Sequence, residues 1–151
     1  LMYDLGNGAL ITEHRSSGHA IKLVHQKLQH FSIAGHLFEK IDNESIANSL
    51  PHSGFYDILY RGDTKVIAWR QKLLREKITS STIERSFDER NRYFIFKNGV
   101  YFSVKGKASV LKVLGDKKSE LKLFLKKKRI LLSQDRELLI KRTAEYYDTL
   151  K

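Results

Sequence analysis

Histidines, a run of four cations and two groups of carboxylates are the side chains with chemistry to offer in this 151-residue sequence. His14, His19, His25, His30 and His36 recur every five or six residues, and imidazole is the commonest neutral ligand for zinc or copper. A metal site needs several ligands converging on one point. In extended chain these alternating odd and even intervals put successive rings on opposite faces, so scattered surface histidines are expected and no metal site. Asp88-Glu89, and Glu76 with Glu84, offer carboxylates of the kind that cleave glycosides. They stand among Arg85, Arg90 and Arg92, the setting of surface ion pairs. Cysteine is absent. Gly-x-Ser-x-Gly, His-Glu-x-x-His, a phosphate loop and Gly-x-Gly-x-x-Gly are also absent from the sequence. The expectation is a protein with neither catalytic residues nor a cofactor.

Charge is unevenly placed. The last 51 residues carry 14 Lys and Arg against 6 Asp and Glu, whereas the first 50 carry 4 against 5. The net charge of +11 is therefore concentrated where Lys126-Lys127-Lys128-Arg129 falls. With Lys122, these residues are the candidate contacts for an anionic partner: an acidic protein, an anionic envelope surface or, less favoured, nucleic acid. On a helix the four consecutive cations fan around the axis, with Lys128 turned back toward the Leu121 face. Cations in a last helical turn also complement the helix dipole, the simpler reading of the run. Phe94, Phe96 and Tyr101, near Lys97 and Lys105, could stack single-stranded bases. Their sheet face is also where C-terminal helices are expected to pack, and Tyr56 with Trp69 reads as a cross-strand pair or, alternatively, a sugar-stacking platform.

The elements that must position these residues follow from turn chemistry and periodicity. Asn98-Gly99 predicts a two-residue hairpin turn, pairing Lys97 with Val100, Ile95 with Phe102 and Tyr93 with Val104. Gly62-Asp63 predicts a second, setting Tyr56 opposite Trp69, Ile58 opposite Ile67 and Leu59 opposite Val66. Asn7-Gly8 predicts a third, pairing Leu5 with Leu10 and Tyr3 with Thr12. Short strands are expected over 20–24, 31–34 and 37–41. Residues 42–54, which contain the single proline, read as a loop or a break between sheet segments. Residues 72–78 extend the Trp69 strand, and 79–92 read as a connection with a helical turn. Beyond Lys105 the period becomes helical: Val110, Leu111 and Leu114 share a face, and Asp116 is placed to cap a helix burying Leu121, Phe124 and Leu125. Ser133 is placed to cap a last helix with Leu139, Thr143, Tyr146, Tyr147 and Leu150 inward and Glu137, Lys141, Glu145 and Asp148 outward.

Length and patterning predict one domain over residues 1–151, a β-rich part (1–105) joined to a basic helical part (106–151). The fold expected is α+β: a twisted antiparallel sheet of about seven to nine strands, followed by two or three C-terminal α-helices. No apolar run approaches the roughly 18 residues of a membrane-spanning helix. Leu1 is not an initiator methionine and the pattern begins in mid-strand, so preceding sequence is expected to have been removed. A chain without cysteine suits a reducing cytosol or an envelope protein without disulfides.

The stretches Gly54-Phe55-Tyr56-Asp57-Ile58-Leu59-Tyr60, Arg92-Tyr93-Phe94-Ile95-Phe96-Lys97-Asn98-Gly99, Asp116-Lys117-Lys118-Ser119-Glu120-Leu121 and Ala144-Glu145-Tyr146-Tyr147 occur in an order that resembles uncharacterised exported, signal-peptide-bearing proteins of Bacteroidetes. The resemblance spans roughly the last two thirds of the chain. It implies an α+β fold and a periplasmic or envelope location, and transfers no catalytic residue. The expected function is that of a non-enzymatic cell-envelope protein whose basic C-terminal helices contact an acidic protein or anionic surface. The alternative is a nucleic-acid-binding module using those helices and the hairpin aromatics.

Overall fold

The computed structural model describes residues 1–42, 49–128 and 134–151. Its strands are β1 (Met2–Asp4), β2 (Ala9–Glu13), β3 (Ala20–Lys22), β4 (His30–Ile33), β5 (His36–Ile41), β6 (Gly54–Arg61), β7 (Lys65–Ile78), β8 (Ile83–Lys97) and β9 (Val100–Val104). Its helices are α1 (Lys107–Val113), α2 (Lys118–Lys127) and α3 (Arg136–Thr149). The fold is α+β. The strands divide into two antiparallel sheets, a small one ordered β1-β2-β3 and a main one ordered β4-β5-β6-β7-β8-β9. The division falls between β3 and β4, because β5 and β6 pair directly, Ile41 opposite Gly54.

Local turn chemistry accounts for the hairpins, and side-chain capture explains where registers depart from expectation. At the β8–β9 turn Asn98 and Gly99 have φ of 52° and 81°, and Lys97 opposes Val100, Ile95 opposes Phe102 and Tyr93 opposes Val104. A Cβ on Gly99 would meet no atom within 4 Å, so any cost of a side chain there is backbone strain. Gly99→Val is expected to lower stability by about 1 to 3 kcal/mol. An unchanged denaturation midpoint would contradict it.

The β1–β2 register is shifted by two residues from the sequence expectation: Tyr3 opposes Leu10 and Asp4 opposes Ala9. Asp4 causes this, its carboxylate accepting from the Gly6 and Asn7 backbone N–H and from Asn7 Nδ2 at 2.9, 3.2 and 2.7 Å, which closes the loop early. In the β6–β7 hairpin Ile58 opposes Ile67 as expected, but a bulge sets Tyr60, not Leu59, opposite Val66. Asp148 of α3 holds that turn open by accepting from Thr64 N, Thr64 Oγ1 and Tyr60 Oη at 2.9, 3.1 and 3.0 Å.

The largest correction concerns residues 79–92. Instead of a helical connection, Thr79 and Thr82 close a turn by donating and accepting across it, and β8 pairs with β7 from Ile83 to Phe96. Exposed ion pairs of Lys72 with Glu89, Arg75 with Asp88 and Arg85 with Glu76 bridge the two strands.

The core of the main sheet has a buried apolar cluster on each face. The helices lie on the Tyr93, Ile95 and Val104 face, packing Val110, Leu111, Leu114, Leu121, Leu125, Ile140, Ala144 and Tyr147 over Val66 and Ala68. They do not take the Phe94, Phe96 and Tyr101 face as expected; there Ile41, Tyr56 and Ile67 of the same sheet form a separate cluster with Phe94 and Tyr101, and Leu50 packs onto it. On the helix side, β4 to β6 present Phe31, Phe38 and Phe55 to Tyr3 and Leu10 of the small sheet. α3 is capped by Asp135, whose carboxylate accepts from Leu138 N at 3.0 Å. Ser133, the expected cap, lies outside the described residues.

Candidate functional site

α2 forms because Leu121 and Leu125 are buried one turn apart, with Phe124 stacked on Tyr146 at 4.3 Å between centroids. That fixes which residues face water. Lys118, Lys122 and Lys126 follow at four-residue spacing and form one exposed stripe beside the buried edge, with Lys127 and Lys128 completing the last turn. Arg129 lies outside the described residues. Over residues 105–128 nine lysines stand against two acids, and one of the acids is spent: Asp116 does not cap α2 but accepts from Lys97 Nζ at 2.5 Å and Tyr147 Oη at 2.7 Å. The Lys97 ammonium holds the Asp116 carboxyl below the usual range. Among the described residues none of Lys118, Lys122, Lys126, Lys127 and Lys128 has an ion-pair partner.

A second constellation was not read from the sequence. Asp57 on β6 is buried to 1 % exposure; its Oδ2 accepts from Arg70 Nε and Nη2 at 2.9 and 2.6 Å and meets His36 Nδ1 at 2.8 Å. Arg70 also donates through Nη1 and Nη2 to Glu137, at 2.6 and 3.0 Å, and Tyr93 Oη donates to Glu137 at 3.1 Å. Burial pushes the Glu137 carboxyl up, but Arg70 and Tyr93 outweigh it and hold it below its ordinary value. The network floors a cleft of about 420 Å³ between the small sheet and the start of α3, lined by Tyr3, Leu5, Phe38 and Arg70 among others. Two carboxylates already neutralise the Arg70 guanidinium, so the group clamps α3 to the sheet and leaves no cation free to catch an anion. Its only local signal is an aspartate inside the apolar run Phe55-Tyr56-Asp57-Ile58-Leu59, since a charge buried in a strand must be paired.

The remaining candidates separate. Phe94 and Tyr101 are buried, and half-buried Phe96 packs against Tyr101 at 4.8 Å, so these rings are core and not a stacking platform. Tyr56 is buried beside Trp69, whose faces meet His52 and Arg92. His14 bonds Ser16 and Ser17 in the β2–β3 turn, far in role from His36 on Asp57. Among the described residues no three His, Cys, Asp or Glu side chains converge on a point. No described helix is long and apolar enough to cross a membrane. Comparison with family models, with curated proteins and with solved structures returned no match to this chain.

Proposed function

We propose that this chain is a non-enzymatic cell-envelope protein that docks through α2 onto an acidic protein or anionic surface. The carrying observation is that the ion pairs of the fold consume arginines and lysines elsewhere, Arg61, Arg70, Lys72, Arg75, Arg85, Lys97 and Arg142 among them, while among the described residues the α2 lysines have no ion-pair partner. Exposed cations without an ion-pair partner gain by releasing counterions from an anionic surface. The envelope assignment rests on the resemblance drawn from the sequence. The nucleic-acid reading keeps the lysines but loses its aromatic platform to the core.

Replacing Lys122, Lys126, Lys127 and Lys128 by Gln is expected to abolish retention on anionic vesicles or acidic polysaccharide at about 50 mM salt without lowering the melting temperature. The parent should release between about 50 and 200 mM salt. Equal retention of parent and variant would remove α2 from the function. Tighter binding to single-stranded nucleic acid than to vesicles at equal salt would turn the assignment to the nucleic-acid alternative.

A further inference from the structure

Beyond the Arg70–Asn91 pair, β7 and β8 continue for eight more residue pairs, from Gln71–Arg90 to Ile78–Ile83, an arm of roughly 25 Å touched at its base by Leu5, whose carbonyl accepts from Lys72 N at 3.4 Å. Every residue from Lys72 to Phe87 is exposed. A lone two-stranded ribbon is marginal in water, and exposed ion pairs such as Lys72–Glu89 and Arg85–Glu76 add little. Side chains opposite one another share a face. One face therefore carries Leu74 with Phe87 and Ile78 with Ile83, at 51 %, 67 %, 75 % and 61 % exposure. Between these two apolar pairs lies the Glu76–Arg85 ion pair. Among the described residues this sheet face thus has no second layer.

We infer that this face is a self-association surface, covered by the same face of a second copy. Charge selects that occupant. Residues 71–91 carry five basic and four acidic side chains in a chain of net +11, so the arm offers an acidic partner almost no field, and six of those charges are paired across the strands as Lys72–Glu89, Arg75–Asp88 and Arg85–Glu76. The face is also symmetric about its own centre: apolar pair, ion pair, apolar pair, at two-residue steps. A two-fold axis between stacked ribbons, perpendicular to the strands at Glu76–Arg85, lays Leu74 and Phe87 over Ile78 and Ile83 of the copy. Glu76 and Arg85 then come within diagonal reach of the opposite charge. Stacked sheets pack about 10 Å apart, and a two-fold interface needs one self-complementary patch. The two arms run in opposite directions, which keeps the basic helical ends apart.

Sedimentation equilibrium of the full chain, from micromolar to millimolar concentration, tests this. The parent is expected to show a reversible monomer–dimer equilibrium, and Phe87→Asp to weaken it roughly tenfold or more with an unchanged near-ultraviolet spectrum. Glu76→Arg and Arg85→Glu, each alone, gather four like charges at the axis and should associate poorly. Mixed in equal amounts they should form the heterodimer in preference to either homodimer. A parent monomeric at millimolar concentration, a dimer indifferent to Phe87→Asp, or a mixture without heterodimer preference would each overturn the inference.

Discussion

Replacing Arg70 by Met is expected to cost about 3 to 5 kcal/mol of folding stability, the range for removing one partner of a buried ion pair. Asp57 is 1 % exposed and its Oδ1 meets no donor among the described residues. Without Arg70, its Oδ2 retains only His36, and Glu137 retains only the Tyr93 hydroxyl. Two carboxylates would then face each other across the start of α3 with the compensating charge gone. The double variant Arg70→Met with Asp57→Asn should recover a large part of the loss, because the penalty lies in the orphaned charge more than in the pair itself. Denaturant midpoints at constant slope read both values. A loss under about 1 kcal/mol for Arg70→Met would mean that water reaches Asp57 and that the clamp is dispensable.

The same network sets an acid-side dependence. Glu137 and Asp116 both have carboxyls below their ordinary values in the folded chain, Glu137 through Arg70 and Tyr93 against the upward push of burial, Asp116 through Lys97. A carboxyl lowered on folding contributes stability that is present above its unfolded value and lost as pH falls through the folded one. Stability should therefore decline on acidification, and the decline should be shallower in Arg70→Met, whose Glu137 no longer has the cation to lose.

What could be read from residue order alone divides along the range of the forces involved. The Asn98-Gly99 hairpin was legible because positive φ at two adjacent residues is a local demand that few pairs meet. The β1–β2 register was not, since one carboxylate, Asp4, reorganised a four-residue loop and moved every pairing by two. The β8 half of the arm escaped because charge interrupts its apolar face: Ile83, Arg85, Phe87 and Glu89 alternate with the polar Glu84, Ser86, Asp88 and Arg90. No inner and outer side can be told from such a pattern when neither side is buried. The lysines of α2 were legible because bare charge density needs no partner to be seen. His36, Asp57, Arg70 and Glu137 were invisible as a group, being drawn from four elements with up to 67 residues between bonded partners.

α3 gives the sharpest case, and with it a quantitative test. Periodicity placed Leu139, Thr143, Tyr146, Tyr147 and Leu150 on its buried stripe. Thr143 and Tyr147 are buried as expected, but the helix is turned so that Ile140 and Ala144 join them, while Leu139, Tyr146 and Leu150 are only partly covered. The cause is polar: Glu137 is drawn inward by Arg70 and Asp148 by Thr64 and Tyr60, and two acids fixed on the sheet rotate the whole stripe toward them. A wheel that scores only hydrophobicity cannot register this pull. Ile140 is fully buried between α1, α2 and the sheet, so Ile140→Ala is expected to cost about 2 to 5 kcal/mol from lost transfer energy and an unfilled cavity. Leu139→Ala, at a half-covered position, should cost less than half as much, near 1 kcal/mol. Equal losses, or the reverse order, would return the helix to the orientation that its apolar pattern alone suggests and would remove Glu137 and Asp148 as the groups that set it.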